Sequence, residues 1–150
     1  MSTTEEVIDE VVTATHVPGP QRMTFLPQFF GKFFMQGEQL LFNWADRLSP
    51  QYSGGFWNFY TLSNGGFFAA PHMGVEKVEV RQNLNGYEGS MSEQAFGVVV
   101  TLFALNHLIM SLYEKQADED LIDQLSERYH LLHDFIGTLP DASEIYSAID

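Results

Sequence analysis

The sequence predicts an α+β fold in which a small antiparallel sheet of about four strands, arranged as a meander, packs with N-terminal and C-terminal helices. Two observations predict this class. Apolar residues recur at helical spacing before residue 50 and after residue 90, whereas the segment between them consists of short aromatic or β-branched runs separated by tight-turn signals. A run of short strands flanked by helical segments is typical of the α+β class.

The chain of 150 residues is predicted to form one domain preceded by an arm. Residues 1–20 are acidic and end in the breaker VPGP, so we predict a flexible N-terminal arm. Residues 21–150 form the single domain. The N-terminus lacks the basic and apolar regions of a signal peptide, so a cytoplasmic location is expected. Because the chain contains no cysteine, disulfides, thiolate metal sites and a cysteine nucleophile are excluded.

The first structured segment is predicted to contain two short helices. A helical turn is expected at residues 27–34 and a longer helix at residues 37–48, where leucines and a tryptophan recur at helical spacing. Gly31 and Gly37 weaken a continuous helix, and Pro50 stops the second one.

The aromatic segment that follows predicts a β-hairpin. Residues 56–62 and 67–70 are strand-like, and Ser63-Asn64-Gly65-Gly66 between them is a tight-turn signal. Two further strands are expected at residues 77–81 and 86–89. Successive strand residues face opposite sides, so the hairpin carries aromatic groups on both faces. Either helices cover both faces, or some aromatics remain exposed at an edge that binds protein.

The C-terminal part of the chain is predicted to be helical. Ser90-Met91-Ser92-Glu93 fits the S-x-x-E capping box, with Ser90 as the N-cap of a long apolar helix at residues 94–113. Residues 118–136 form an amphipathic helix with most of its acids on one face, and residues 141–149 form a last short helix.

The uncharged run at residues 94–113 is long enough to cross a bilayer. Asn106 and His107 would nevertheless lie beyond the middle of the membrane, and the flanking residues are Glu93 and Glu114 rather than a basic cluster. We therefore expect a buried central helix and no membrane association.

The charge balance argues against direct nucleic-acid binding. Seven Lys and Arg against twenty Asp and Glu give a net charge of -13, and no basic patch is visible. Glu119, Asp123, Glu127 and Asp134 follow one another along the acidic helix, which raises the alternative of a DNA-mimicking surface. The net charge of residues 114–150 amounts to about one per 7 Å if the whole segment is helical, against one per ~1.7 Å in duplex DNA. An ordinary solvated face is the preferred interpretation.

Catalytic and metal-binding patterns are weak. The sequence contains no G-x-S-x-G, S-x-x-K or phosphate-loop motif. Glu127-x-x-His130 has no second E-x-x-H motif with which to build a di-iron site, and a zinc site made of His107, His130 and His133 lacks the H-E-x-x-H signature. We expect no catalytic residue, no metal and no cofactor, and a hydrolytic enzyme is the weakest alternative.

The most distinctive stretch of the chain is GGFWNFYTLSNGGFFAAP. It is preceded by FLPQFFGKFFMQGEQLLFNWADRL and followed by GSMSEQAFGVVVTLFALNHL, RYHLLHDF and a terminal AID. Over residues 21–150 these stretches resemble the antirestriction proteins of the ArdB/KlcA family. The resemblance implies a small bacterial protein, typically encoded on plasmids and other mobile elements, that relieves type I restriction of incoming DNA. It also implies a compact α+β fold without enzymatic activity or cofactor.

The expected function is therefore restriction relief through protein contacts, with the type I restriction-modification complex or an associated host factor as partner. The candidate contact surface comprises the hairpin edge around Asn58, Tyr60 and Asn64, with Arg22 and Glu38 in the N-terminal segment. The alternatives are the acidic DNA mimic and an accessory role in plasmid maintenance.

Overall fold

The structure is a computed structural model that describes residues 11–150. It confirms the α+β class, since helices flank two small antiparallel sheets. The elements in chain order are β1 (Ala14–His16), α1 (Arg22–Phe30), α2 (Phe34–Leu48), β2 (Trp57–Leu62), β3 (Phe67–Pro71), β4 (Val78–Gln82), β5 (Tyr87–Met91), α3 (Glu93–Glu114), α4 (Glu119–Phe135) and α5 (Ala142–Ile149). Short 3-10 turns lie at Gly19–Gln21, Gly31–Phe33 and Ile136–Thr138.

The strands form two sheets rather than one meander. β1, β2 and β3 make a three-stranded sheet in that order, and β4 pairs only with β5. All four predicted strands are present, but each predicted hairpin belongs to a different sheet. The helix α3 packs along the outer edge of β3, where a further strand would otherwise pair. The β4–β5 hairpin therefore forms a separate sheet.

Residues 11–20, the described half of the predicted N-terminal arm, contribute to the fold. The predicted flexible arm spans residues 1–20, of which residues 1–10 lie outside the described part of the chain. Ala14–His16 pairs antiparallel with β2, and Val17 is buried and donates its N–H to the carbonyl of Phe59 at 2.8 Å. The prediction of an arm up to residue 20 is corrected here, because three residues suffice to add a strand to an open edge.

Two separate helices, α1 and α2, replace one long N-terminal helix, as Gly31 predicted, whereas Gly37 lies inside α2. Gly31 has a φ of 66°, which lies in the left-handed region that glycine adopts without strain. The chain therefore turns between the two helices and packs α1 against α2. α1 begins earlier than predicted and carries Pro27 within it.

The capping residue of α3 differs from the prediction. Ser90 lies in β5, and Ser92 is the N-cap, with its Oγ accepting from the N–H of Ala95 at 3.1 Å. The capping box assigned to Ser90 is therefore wrong. The Glu93 carboxylate instead accepts two backbone N–H groups of the β3–β4 connection, at 2.9 and 3.1 Å, because the strand and the helix are brought together only by the tertiary fold.

The helix α3 is the centre of the molecule. By length and composition it could cross a membrane, but most of its side chains are buried inside the fold. It runs along the outer edge of β3, where Thr101 accepts the N–H of Ala69 at 3.1 Å and donates to the carbonyl of the same residue at 3.2 Å. A Cβ on Gly97 would lie 2.6 Å from the Ala69 carbonyl oxygen, so only glycine permits this approach. The predicted buried central helix is confirmed.

Aromatic rings pack on one face of the three-stranded sheet against α1. Phe59 of β2 stacks on Phe25 with ring centroids 4.4 Å apart, and Phe67 of β3 stacks on Phe29 at 4.6 Å. These four rings are buried and make up much of the core between α1 and the sheet.

The opposite face of the same sheet packs against α4. Tyr60 stacks on its cross-strand neighbour Phe68 at 4.6 Å, and Phe68 contacts Phe135 at 5.7 Å. Helices thus cover both faces of the aromatic hairpin, although Phe56, immediately before β2, stays 55% exposed.

The last helix is held to the second sheet by polar contacts. Asp141, just before α5, accepts the N–H of Ser92 at 2.9 Å and pairs with Lys77 at 3.4 Å. The hydrogen bond from the Ser92 N–H is the main reason why the pKa of Asp141 lies below its ordinary value. Tyr87 of β5 donates to the Glu144 carboxylate of α5, and burial, followed by this hydrogen bond, raises the pKa of Tyr87.

Replacing Thr101 with valine is expected to lower the free energy of unfolding by about 1–3 kcal/mol, because the N–H and the carbonyl of Ala69 would stay buried without their partner. Urea unfolding followed by circular dichroism measures the change. Thr15→Val, at an exposed strand position, is the control and should stay within about 0.5 kcal/mol of the parent. Equal effects of the two substitutions would show that the two hydrogen bonds of Thr101 contribute little to stability.

Asp141→Asn is expected to destabilise the protein at neutral pH, with a loss that shrinks as the pH falls. The folded pKa of Asp141 lies below the unfolded value of 3.8, so its stabilising contribution is present above the unfolded pKa and disappears as the pH falls through the folded pKa. Urea unfolding at a series of pH values measures the difference. The exposed Asp46→Asn is the control, and a gap independent of pH would contradict the expectation.

Candidate functional site

The fold brings two of the predicted contact residues, Arg22 and Glu38, into one groove. Arg22 is the first residue of α1 and Glu38 lies in the first turns of α2, and the turn between these helices places both side chains beside the aromatic hairpin. The groove has a volume of about 180 Å³. Its walls are formed by Arg22, Leu26, Glu38, Leu41, Phe42, Gly55, Phe56, Trp57 and Phe59.

The Arg22 guanidinium makes cation–π contacts with two aromatic rings. Its Cζ lies 4.3 Å from the ring centroid of Phe56 and 4.4 Å from that of Phe59. Within the described residues, its Nη1 atom is buried and has no hydrogen-bond partner. The two cation–π contacts hold the guanidinium against the hairpin, and Nη1 is enclosed there.

A second polar cluster, formed by His16, Asn58 and Tyr60, lies on the three-stranded sheet. His16 Nε2 hydrogen-bonds to Asn58 Oδ1 at 3.0 Å, and its ring meets that of Tyr60 edge-on at 5.5 Å. Burial raises the pKa of the Tyr60 phenol, and a hydrogen bond with Gln94 acts in the opposite direction. His16 is a member that sequence reasoning missed, because only the β1–β2 register places it opposite Tyr60.

The hairpin edge expected around Asn58 and Tyr60 is not an open edge in the structure, whereas their contact with a partner stays a prediction. β2 is the central strand of its sheet, with β1 on one side and β3 on the other. The outer edge of β3 is covered by α3. Asn58 and Tyr60 therefore present side chains from a sheet face, and their backbone groups are not available to a partner strand.

Asn64 has a different position from the other candidates. Its Nδ2 donates to the carbonyl of Leu131 in α4, and its Oδ1 accepts from the N–H of Gly66, both at 2.9 Å. The side chain thus ties the β2–β3 turn to α4. Both ends of the amide are used within the fold.

The acidic residues of the alternative surface are exposed along α4. Glu119, Asp123, Glu127 and Asp134 all face solvent. Glu119 and Asp123 line a groove of about 620 Å³ together with Tyr113, Gln116 and Ile122. The helix also has basic contacts: Lys32 pairs with its N-cap Asp118 at 2.9 Å, and Arg128 donates to the Phe29 carbonyl at 3.0 Å.

The histidines considered as a zinc site lie in different surroundings. His107 on α3 contacts the ring of Trp44, whereas His130 and His133 on α4 lie beside Tyr129. Among residues 11–150 no group of three His, Asp or Glu side chains is arranged to hold a metal ion. The structure does not bring the three histidines together.

The fold and the comparisons define the class of this protein. A family model described as Antirestriction protein matches residues 50–150. The chain belongs to the antirestriction protein family, and the resemblance found in the sequence is confirmed.

Two relatives and one solved structure make the relationship specific. The chain is 43% identical over 143 residues to an antirestriction protein KlcA of Escherichia coli, covering 95% of this chain and 97% of the relative. It is 44% identical over 151 residues to another KlcA of the same species, covering 98% of this chain and 99% of that relative. A solved structure with a TM-score of 0.84 and 41% identity covers 97% of this chain and 100% of its own. That structure is described as showing the KlcA and ArdB proteins, with a novel fold and antirestriction activity against type I DNA restriction systems in vivo but not in vitro.

Asn64→Ala is expected to lower the free energy of unfolding by about 1–2 kcal/mol, because one hydrogen bond from the hairpin turn to α4 and one within the turn are lost. Among residues 11–150 the Asn58 side chain hydrogen-bonds only to the exposed His16, so Asn58→Ala should change the free energy of unfolding by less than about 0.5 kcal/mol. Urea unfolding of both variants measures the difference. If Asn58→Ala lowers the free energy of unfolding more than Asn64→Ala does, the proposed structural role of Asn64 is contradicted.

Proposed function

We propose that this protein relieves type I restriction of incoming DNA by contacting a protein in the cytoplasm, without catalysis and without a cofactor. The observation that carries the proposal is membership of the antirestriction family over nearly the whole chain. The similar KlcA and ArdB proteins are stated to act against type I DNA restriction systems in vivo. The net charge of -13 supports a protein partner rather than direct binding to DNA.

The partner is the type I restriction-modification complex or a host factor associated with it. The antirestriction activity stated for KlcA and ArdB is seen in vivo but not in vitro. A direct inhibitor of the purified enzyme would act in both settings, so this difference favours a host component that is present only in the cell. We therefore place contact with an associated host factor ahead of direct contact with the restriction enzyme.

Two surfaces are proposed for this contact. One is the groove that contains Arg22 and Glu38, and the other is the sheet face that carries Asn58 and Tyr60. Asn64 supports the second surface indirectly by holding the β2–β3 turn against α4.

The rival function is a DNA mimic that acts through the carboxylates of α4. Its support is the exposure of Glu119, Asp123, Glu127 and Asp134 on one helix. Carboxylates one helical turn apart are spaced by ~6 Å along the axis, whereas duplex DNA carries a charge every ~1.7 Å. A mimic would also inhibit the purified enzyme, whereas the similar KlcA and ArdB proteins are described as having antirestriction activity in vivo but not in vitro.

Plating of unmodified phage tests the function itself. Expression of the protein should raise the efficiency of plating in a host with a type I system and leave it unchanged in an isogenic host without one. Phage already modified by the host methylase serves as the internal control. Unchanged plating of unmodified phage on the restricting host would contradict the proposed function.

Neutralising the acids of α4 separates the two mechanisms. The combined variant E119Q, D123N, E127Q and D134N should protect unmodified phage as well as the parent, because these side chains form a solvated face. Immunoblotting verifies equal protein levels. A matched variant neutralises four other exposed acids: D46N, E76Q, E79Q and E88Q. Loss of protection in the α4 variant alone, together with salt-sensitive binding of the parent to purified restriction enzyme, would establish the mimic instead.

A further inference from the structure

The chain contains two Asn-Gly pairs, Asn64-Gly65 and Asn85-Gly86, and each lies in the turn of a hairpin. Such a pair is chemically labile, because glycine has no side chain to hinder attack by its own backbone nitrogen on the asparagine Cγ. The attack forms a C–N bond and breaks the bond to the side-chain nitrogen, which leaves as ammonia with the glycine N–H proton. Water then opens the resulting cyclic succinimide to aspartate or isoaspartate. Because both pairs have the same sequence, the fold determines which of them reacts.

The Asn85 side chain holds the end of α5. Its Nδ2 donates to the carbonyls of Ser147 and Ala148 at 3.2 and 3.1 Å, and its Oδ1 accepts the N–H of Tyr87 at 2.9 Å. Carbonyls in the last turn of a helix have no partner within the helix, so they need donors from elsewhere. Asn85 supplies these donors from the β4–β5 turn.

The same contacts protect Asn85 from deamidation while α5 is docked. The attacking nitrogen, that of Gly86, donates its N–H to the Gln82 carbonyl at 2.9 Å. This hydrogen bond must break, and the Asn85 amide must leave the two carbonyls of α5, before the succinimide can form. The rate of deamidation therefore depends on how often the end of α5 separates from the turn.

The end of α5 is a place where local opening is expected. This helix has eight residues, is the last element of the chain, and buries only Ile145 and Ala148. Its side-chain contacts through Asp141 and Glu144 lie at its beginning, so its last turn can fray while they persist. Asn85 itself is exposed. Terminal segments with few buried apolar groups open at a low free energy.

Asn64 lies in a more closed environment. Its Nδ2 donates to the Leu131 carbonyl of α4, a helix of 17 residues that packs against both α3 and the three-stranded sheet. The Leu131 side chain also covers the turn, since its atoms lie 3.8 Å and 3.0 Å from the positions that a Cβ would take at Gly65 and Gly66. Asn64 is half-buried. Opening of this turn requires α4 to move, which breaks much more of the core.

We propose that Asn85 is a deamidation site of this protein and that its conversion to aspartate or isoaspartate releases the end of α5. An ionised carboxylate has no N–H for the carbonyls of Ser147 and Ala148. It also adds a negative charge at the C-terminus of a helix, where the macrodipole is already negative. Isoaspartate in addition extends the main chain of the turn by a methylene group. The site goes beyond restriction relief, because it is defined by the chemistry of this chain and water alone.

The first test compares the two pairs in one sample. The purified full-length protein is incubated at mildly alkaline pH, and peptide mapping by mass spectrometry follows the conversion of Asn64 and Asn85. Each rate is divided by the rate of the same site in concentrated urea, which removes any intrinsic difference. The resulting relative rate should be at least about fivefold higher at Asn85 than at Asn64. Equal relative rates, or a higher one at Asn64, would overturn the proposal.

The second test examines whether opening of α5 controls the reaction. Ser147→Gly keeps the carbonyl that accepts from Asn85 but lowers the stability of the last turn, because glycine is a poor helix former. Ser147 is exposed, so no packing is lost. Deamidation should become about twofold faster at Asn85 and stay unchanged at Asn64. An unchanged rate at Asn85 would contradict control by α5.

The third test examines the consequence of deamidation. Asn85→Asp reproduces the charge of the product and should speed amide hydrogen exchange at residues 147–149 about tenfold, with exchange in α3 unchanged. Asn83→Asp is the matched control, because Asn83 is exposed in the same turn and no hydrogen bond joins its side chain to any residue from 11 to 150. It should leave exchange in α5 as in the parent. Parent-like exchange in Asn85→Asp, or an equal increase in Asn83→Asp, would disprove the release of α5.

Discussion

The contact between α3 and the outer edge of β3 is the constraint on which the rest of the structure depends. An edge strand presents unpaired N–H and carbonyl groups, which must be paired or covered. Thr101 satisfies both groups of Ala69 from the middle of a buried helix, and the missing side chain of Gly97 lets the helix backbone come close enough. Because α3 occupies this edge, the sheet ends at β3 and the second hairpin forms its own sheet with α5 packed against it.

The position of α3 also determines where the functional surfaces lie. With one edge of the hairpin covered by α3 and the other paired with β1, only the two sheet faces and their rims remain for binding. Aromatic rings fill both faces, so α1 and α4 cover most of them. Phe56 lies just before β2, where this cover ends, and its exposed ring forms a wall of the groove that holds Arg22 and Glu38. The same aromatic packing that stabilises the core therefore shapes the candidate binding site.

Much of the fold follows from local patterns in the chain. Helical spacing located α2, α3, α4 and α5 within a few residues, and the Asn-Gly turn located the β2–β3 hairpin. The errors arose where a residue is used by a distant partner. Ser90 fits a capping motif but pairs as a strand residue in β5, and Asn64 fits a turn signal but also holds α4 through Leu131. The strand at Ala14–His16 is too short to show a period, and only its pairing with β2 defines it.

By itself the sequence determined the family, the α+β class, the strongly acidic charge and the absence of cysteine chemistry, because these depend on composition and on residues close together in the chain. It also identified Arg22 and Glu38 as candidate residues. The tertiary structure decided that these two line one groove, that the Arg22 guanidinium contacts two phenylalanine rings, and that the hairpin has no open edge. These features depend on contacts between segments far apart in the chain, and local spacing carries no information about which segments will meet.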